Sequence, residues 1–116
     1  MSSQKKQLKG FGSTAIHAGH ETDGNNAHLT PIYASSTYVF ETAEQGMRRF
    51  SGDEPGYIYS RWGNPSMKEV EDKIAALESF DIVENGQPLS LKARVHSSGM
   101  AAISTLMFGN LKSGDK

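Results

Sequence analysis

From Met1 to about Gly56 the chain carries no sustained hydrophobic period, and Gly12, Gly19, Gly24, Asn25, Asn26 and Pro31 interrupt it at short intervals. Neither a helix of ordinary length nor a regular strand fits such a run, so nearly half of the chain reads as irregular, extended polypeptide. Extended backbone cannot bury a core by itself and needs a surface to lie on. The run Ile32 to Phe40 is rich in Tyr, Thr, Val and Ser and suits a short strand, and Glu41 to Phe50 suits one or two helical turns beginning after Thr42.

Regular structure starts at Asn64-Pro65. Asn64 can accept hydrogen bonds from the free amides of a helix start, and the fixed φ of Pro65 suits the first helical position. Met67, Val70, Ile74 and Leu77 then recur at three- and four-residue spacing as one apolar stripe, and Glu69 stands four residues before Lys73 for a surface ion pair. The helix is expected to end near Ser79. Beyond it, Ile82-Val83 and the alternating Leu89, Leu91, Ala93 and Val95 flank Asn85-Gly86, a pair suited to the positive φ angles of a type I′ turn. This predicts a β-hairpin whose second strand runs on to Ser97-Ser98-Gly99. A second amphipathic helix with Met100, Ile103, Leu106 and Met107 follows, so strand, turn and helix make an α/β unit. The sequence closes at Gly114-Asp115-Lys116, where a loop would lead into a further strand, and we expect a fold cut before it is complete.

The 116 residues are 36% hydrophobic and allow one domain at most. With mean hydropathy −0.52 and 12 glycines, the core this chain can bury alone is expected to be modest. The near balance of 12 basic and 13 acidic residues gives no field to attract a nucleic acid, and no apolar run is long enough for a signal peptide core or a membrane span. No cysteine is present, so disulfides and thiolate metal sites are excluded, and a cytoplasmic location is the expectation. His17 and His20 stand three apart, with His28 distant and no defined carboxylate partner; they are read as loop histidines, and no metal is assigned.

Two places suit an anion. At Ser98-Gly99-Met100 the free amides of a helix start converge where the helix dipole is positive, and Ser98 can either bond a ligand or cap the helix as serines commonly do. In Tyr57-Ile58-Tyr59-Ser60-Arg61-Trp62, alternation along extended chain puts the Tyr59 phenol and the Arg61 guanidinium on one side, where they could grip a phosphate or form a surface ion pair beside a half-buried aromatic.

Taken together, Ser13-Thr14-Ala15-Ile16-His17-Ala18-Gly19, Pro31-Ile32-Tyr33 with Ser35-Ser36-Thr37, Gly56-Tyr57-Ile58-Tyr59-Ser60-Arg61 with Gly63-Asn64-Pro65, and Ser97-Ser98-Gly99-Met100-Ala101-Ala102 resemble the start of the Cys/Met-metabolism enzymes that use pyridoxal 5′-phosphate (PLP). The likeness runs from about Phe11 to Asp115. It implies an α/β architecture of fold type I, the aspartate-aminotransferase type, with residues 1–57 as an extended arm that touches a neighbouring subunit and 58–116 as the beginning of the PLP-binding domain. It further implies that Tyr59 and Arg61 bind the PLP phosphate of the adjacent subunit, and that Gly99 and Met100, beside Ser98, offer backbone amides to the phosphate of their own.

In the family that is resembled, the lysine that holds the cofactor, the aromatic residue stacked on its ring and the carboxylate paired with its ring nitrogen lie beyond Lys116. No catalytic residue is therefore assigned here, and this chain alone is expected to be inactive. The resemblance implies α,γ-elimination or γ-replacement on methionine, cystathionine or activated homoserine, in a homotetramer built as a dimer of dimers. Within the family, Arg48 to Tyr57 looks most like methionine γ-lyases and homoserine-ester sulfhydrylases, and the hairpin at Asn85-Gly86 is longer than the usual link. A non-enzymatic truncated module that binds phosphate or partner subunits is the alternative.

Overall fold

The computed structural model describes residues 10–21 and 23–115, so the lysine-rich opening over residues 1–9 lies outside the described residues. The first element, α1 (Phe11–His17), falls in the segment expected to be irregular. Gly10 starts it at φ 109° without a side-chain cap, and the buried Thr14 hydroxyl instead donates to Gly10 O at 3.1 Å. So short a helix with so weak a start draws its stability from packing.

Helix α2 (Ala43–Ser51) begins where the sequence suggests. Thr42 accepts from the Gln45 amide at 3.1 Å, the Gln45 side chain accepts from the Glu41 amide, and Gly52 ends the helix at φ 85°. Glu54 then folds back on it, accepting from Arg48 Nε at 3.0 Å, from Gln45 Nε2 at 2.9 Å and from Arg49 Nε at 3.3 Å. These bonds, first that of Arg48 and then that of Gln45, hold the Glu54 carboxyl below its ordinary value of 4.5.

Helix α3 (Pro65–Glu78) is the longest of the described elements. Asn64 caps it through the Ser66 amide at 2.9 Å, Ser79 ends it, and the Lys73–Glu69 pair forms at 3.5 Å, all as the sequence predicts. Helix α1 packs on it near Glu69, Lys73 and Phe80: Lys73 Nζ donates to Ile16 O, and Phe11 meets Phe80 edge to face at 5.5 Å. At the crossing Gly19 turns at φ 77°, and a Cβ there would run into Glu69 O, so the close approach itself requires glycine. The apolar stripe faces elsewhere, since Met67, Val70 and Ile74 remain between 40% and 45% exposed.

The surface that the irregular segment needs is the start of α3 and the turn before it. Tyr33 N donates to Ser66 Oγ at 2.9 Å, and Ser66 Oγ in turn donates to Pro31 O at 3.3 Å. Thr37 and Tyr59 then form an isolated antiparallel bridge, with Tyr38 N donating to Ile58 O and Ser60 N to Ser36 O. That single bridge is all that forms of the strand expected over Ile32 to Phe40.

After α3 the hairpin turns at Asn85-Gly86, whose φ angles of 51° and 77° match the expected turn. Its strands are only β1 (Val83–Glu84) and β2 (Gln87–Pro88), and the second strand expected over Leu89 to Val95 is not formed. Pro88 has no amide to extend the ladder, and among the described residues no strand pairs with Leu91–Val95. The strand of the predicted α/β unit is thus missing, although its helix is present.

That helix, α4 (Gly99–Asn110), is capped by Ser98, whose Oγ accepts from the Ala101 amide at 3.1 Å. It is apolar all round rather than amphipathic, with Met100, Leu106 and Phe108 exposed, Phe108 at 88%. A helix of that composition belongs inside a larger core. Among the described residues Ala18 is the one buried apolar residue, and the radius of gyration of 17.1 Å exceeds the about 13 Å expected for a compact chain of this length.

Two predictions follow from this packing. Asn64→Ala removes a cap and a buried donor, and should lower the free energy of unfolding by about 2–3 kcal/mol in urea titration; a loss under about 0.5 kcal/mol would contradict the role given to Asn64. Because the folded pKa of Glu54 is depressed, its contribution is complete above the ordinary value of 4.5 and fades as pH falls below it. Amide exchange at Gly52–Glu54 should therefore speed up in acid relative to neutral pH, after correction for the intrinsic rate, and Glu54→Gln should abolish that dependence.

Candidate functional site

Asn64 is a buried polar residue at 7% exposure, and its carboxamide serves four neighbours. The oxygen caps α3, while the two amide hydrogens go to Tyr33 O at 2.8 Å and Tyr38 Oη at 3.1 Å, with Ser60 Oγ a longer third acceptor at 3.4 Å. Ser60 Oγ also donates to Ser35 O. One side chain thus joins the 31–38 segment, the 57–63 turn and α3. Sequence reasoning recognised Asn64 only as a cap, and nothing in its local context announces the long-range bonds.

Tyr59 and Arg61 sit on the turn so fixed. Extended chain was expected across both, but the structure continues as extended backbone only to Tyr59. There Tyr59 O accepts from the Trp62 amide at 2.9 Å and the Gly63 amide at 3.1 Å, and the chain turns. The two side chains meet all the same, because the turn swings the Arg61 guanidinium over the Tyr59 ring at 5.3 Å from its centroid. Among the described residues no carboxylate forms a salt bridge with Arg61. The surface ion pair considered from the sequence is therefore not what holds it, and its fork of donors is exposed and open to an anion.

The second expected site is the start of α4. Ser98 is extended at φ −161°, and the helical ladder begins with Ala102 N donating to Ser98 O at 3.1 Å. The Gly99 and Met100 amides accordingly have no acceptor within the helix. A Cβ built on Gly99 would meet nothing within 4 Å, and both residues are exposed, so a ligand has unobstructed access. Ser98 uses its oxygen as the cap, which leaves its hydroxyl hydrogen able to donate outward. Donors of this kind at the positive end of a helix fit a phosphate, as does the unpaired Arg61.

No hydrogen bond or salt bridge among the described residues joins the two sets. A wide groove of about 960 Å³ is lined by Arg61, Trp62, Asn64, Glu71 and Arg94 among others, whereas Tyr59, Ser98, Gly99 and Met100 are not part of its wall. A second cavity of about 130 Å³ lies between Gly19, Glu21, Tyr33, Tyr57 and Lys68. Its charges are already satisfied: Lys68 bonds Asp72 and Glu21, which hold its ammonium well above the usual lysine range, Asp72 the more strongly. Burial, and next the nearby Glu21 charge, push the Tyr57 phenol up. Among the described residues no three His, Asp or Glu side chains gather as a metal site; His20 Nδ1 is instead bonded with Thr30 Oγ1 at 3.2 Å. No described helix is long and apolar enough to cross a membrane.

Comparison with known proteins bears on these features. Residues 12–116 match the family described as Cys/Met metabolism PLP-dependent enzyme. The chain is 42% identical over 115 residues to an L-methionine gamma-lyase of Porphyromonas gingivalis, covering 99% of this chain and 26% of that protein. It is 39% identical over 108 residues to a homocysteine/cysteine synthase of Saccharomyces cerevisiae, covering 90% and 22%. With an O-succinylhomoserine sulfhydrylase of Pseudomonas aeruginosa it shares 35% identity over 105 residues, covering 90% and 24%. The chain therefore spans about a quarter of the length of the curated relatives it matches.

Among solved structures, one described as an O-acetylhomoserine (thiol)-lyase of Campylobacter jejuni, carrying a pyridoxyl-lysine phosphate, aligns with a TM-score of 0.57 at 30% identity. The alignment covers 62% of this chain and 18% of that one. By the extent of the family match, this chain belongs to the PLP-dependent enzymes of cysteine and methionine metabolism.

Proposed function

We propose that this chain is the N-terminal part of a PLP-dependent enzyme that carries out α,γ-elimination or γ-replacement on a sulfur-containing amino acid or a homoserine ester. Residues 1–57 act as its arm and 58–116 begin its cofactor domain. The observation that carries the reading is the pair of unbonded amides at Gly99 and Met100 on the start of α4, inside a region matched by the family from residue 12 to residue 116. The relatives' names support the substrate class, since they include both a lyase acting on methionine and synthases or sulfhydrylases.

PLP, when bound, supplies an electron sink for the charge left on a substrate carbon after loss of a proton. The residues of this chain have the simpler task of holding and orienting its phosphate. Gly99 N–H and Met100 N–H donate from the start of α4, with the Ser98 hydroxyl beside them. Arg61 adds two charge-assisted donors, and the Tyr59 ring beneath it limits the orientations of the guanidinium while its phenol offers a further hydrogen.

As the resemblance of the 56–61 motif to the family implies, Tyr59 and Arg61 serve the phosphate of an adjacent copy in this reading, in a homo-oligomer built as a dimer of dimers. Chemistry at the substrate requires groups outside this chain, so residues 1–116 alone are inactive in this reading.

The full-length protein supplied with PLP should, with water, release a 2-oxo acid, ammonia and a thiol from methionine, or join a thiol to the γ carbon of a homoserine ester with release of the ester's carboxylic acid; absence of both reactions would sink the proposal. In the same protein Arg61→Ala should weaken PLP retention by about 1.5–3 kcal/mol, with little change in circular dichroism. Titration of the visible absorbance of bound PLP measures this, and an unchanged affinity would remove Arg61 from the site.

A further inference from the structure

Residues 90–98 connect the hairpin to α4 without a neighbouring strand, and among the described residues only Glu71 hydrogen-bonds this segment to the helix before it. The Val95 amide donates to Glu71 Oε1 at 3.1 Å, and Arg94 Nη1 donates to Oε2 at 2.6 Å. The Glu71 side chain is 14% exposed, whereas that of Arg94 is 72% exposed. The carboxylate therefore sits against the protein with both oxygens engaged, while the guanidinium stands mostly in water. An ion pair open to solvent on one side contributes little. A shielded carboxylate that accepts a backbone N–H fixes the chain at that residue, and this bond is the stronger constraint.

The position of the anchored amide matters. Val95 stands three residues before Ser98, and Glu71 stands seven residues after Asn64 on the same face of α3. The buried Asn64 carboxamide fixes the start of that helix. A continuous path therefore runs from the 57–63 turn, through Asn64 and two turns of α3, to Glu71, the Val95 amide and the start of α4.

We propose that Glu71 is a positioning residue: by holding the Val95 amide it sets the direction in which the Gly99 and Met100 amides present themselves to a phosphate. The inference rests on the function proposed above, because it is the PLP phosphate that these amides would meet.

Three variants of the full-length protein test it, with PLP affinity measured by titrating the apo form and the setting of the phosphate by phosphorus NMR. Glu71→Ala should raise the PLP dissociation constant about tenfold and move the phosphorus resonance. Glu71→Gln keeps an oxygen for the Val95 amide and should restore both to near the parent values. Arg94→Ala removes only the exposed partner and should leave both close to the parent.

The proposal is overturned if Glu71→Ala binds PLP as the parent does, or lowers the melting temperature without moving the resonance. It is equally overturned if Glu71→Gln and Arg94→Ala are as impaired as Glu71→Ala, since the ion pair would then be the feature that matters. Arg61→Ala separates the two levels. If that variant loses affinity while Glu71→Ala does not, the role of Glu71 fails and the function stands; if the parent binds no PLP, the function itself fails.

Discussion

The arrangement of this chain depends on one buried carboxamide. Asn64 has two amide hydrogens and an oxygen, and they serve two different parts of the chain: Tyr33 O and Tyr38 Oη on the extended segment, and the Ser66 amide at the start of α3. Irregular backbone has no internal ladder to hold it, so its position must come from bonds of this kind. The Tyr59–Arg61 turn lies between the groups that Asn64 joins and inherits its place from them. Removal of the carboxamide would leave a buried carbonyl and a helix start unserved, which costs more than the bonds themselves contribute.

The candidate site is electrostatically simple. A guanidinium with no carboxylate beside it and a helix start with two unbonded amides both favour negative charge, and both are open to solvent. The other prominent charges are neutralised locally: Arg48 and Arg49 by Glu54, Lys68 by Asp72 and Glu21, and Arg94 by Glu71. Arg61, like Lys92 and Lys112, has no salt-bridge partner among the described residues.

What could be read from the sequence was local. The caps at Thr42, Asn64 and Ser98 and the turn at Asn85-Gly86 depend on residues within four positions of one another, and each forms as its residue types suggest. Features that depend on distant partners were not legible. Helix α1 has no side-chain cap and packs on α3, with Gly19 approaching Glu69 and Lys73 Nζ donating to Ile16 O. The segment Leu89 to Val95 has the right alternation and, among the described residues, no strand pairs with it. The turn after Tyr59 arises from two amides that converge on one carbonyl, which alternation of side chains does not reveal. The candidate phosphate-binding residues were singled out by the resemblance of their motifs to a family, whereas the long-range bonds of the Asn64 amide and the Glu71 carboxylate have no local signal in the sequence.

In the proposed function Arg61 of one copy and the Gly99 and Met100 amides of another bind one phosphate. A crystal structure of the full-length protein with PLP tests it most directly. The phosphate oxygens should lie within hydrogen-bonding distance of Gly99 N and Met100 N of one copy and of the Arg61 guanidinium of a second. A phosphate bound away from the start of α4, or one met by the Arg61 of its own copy, would contradict it.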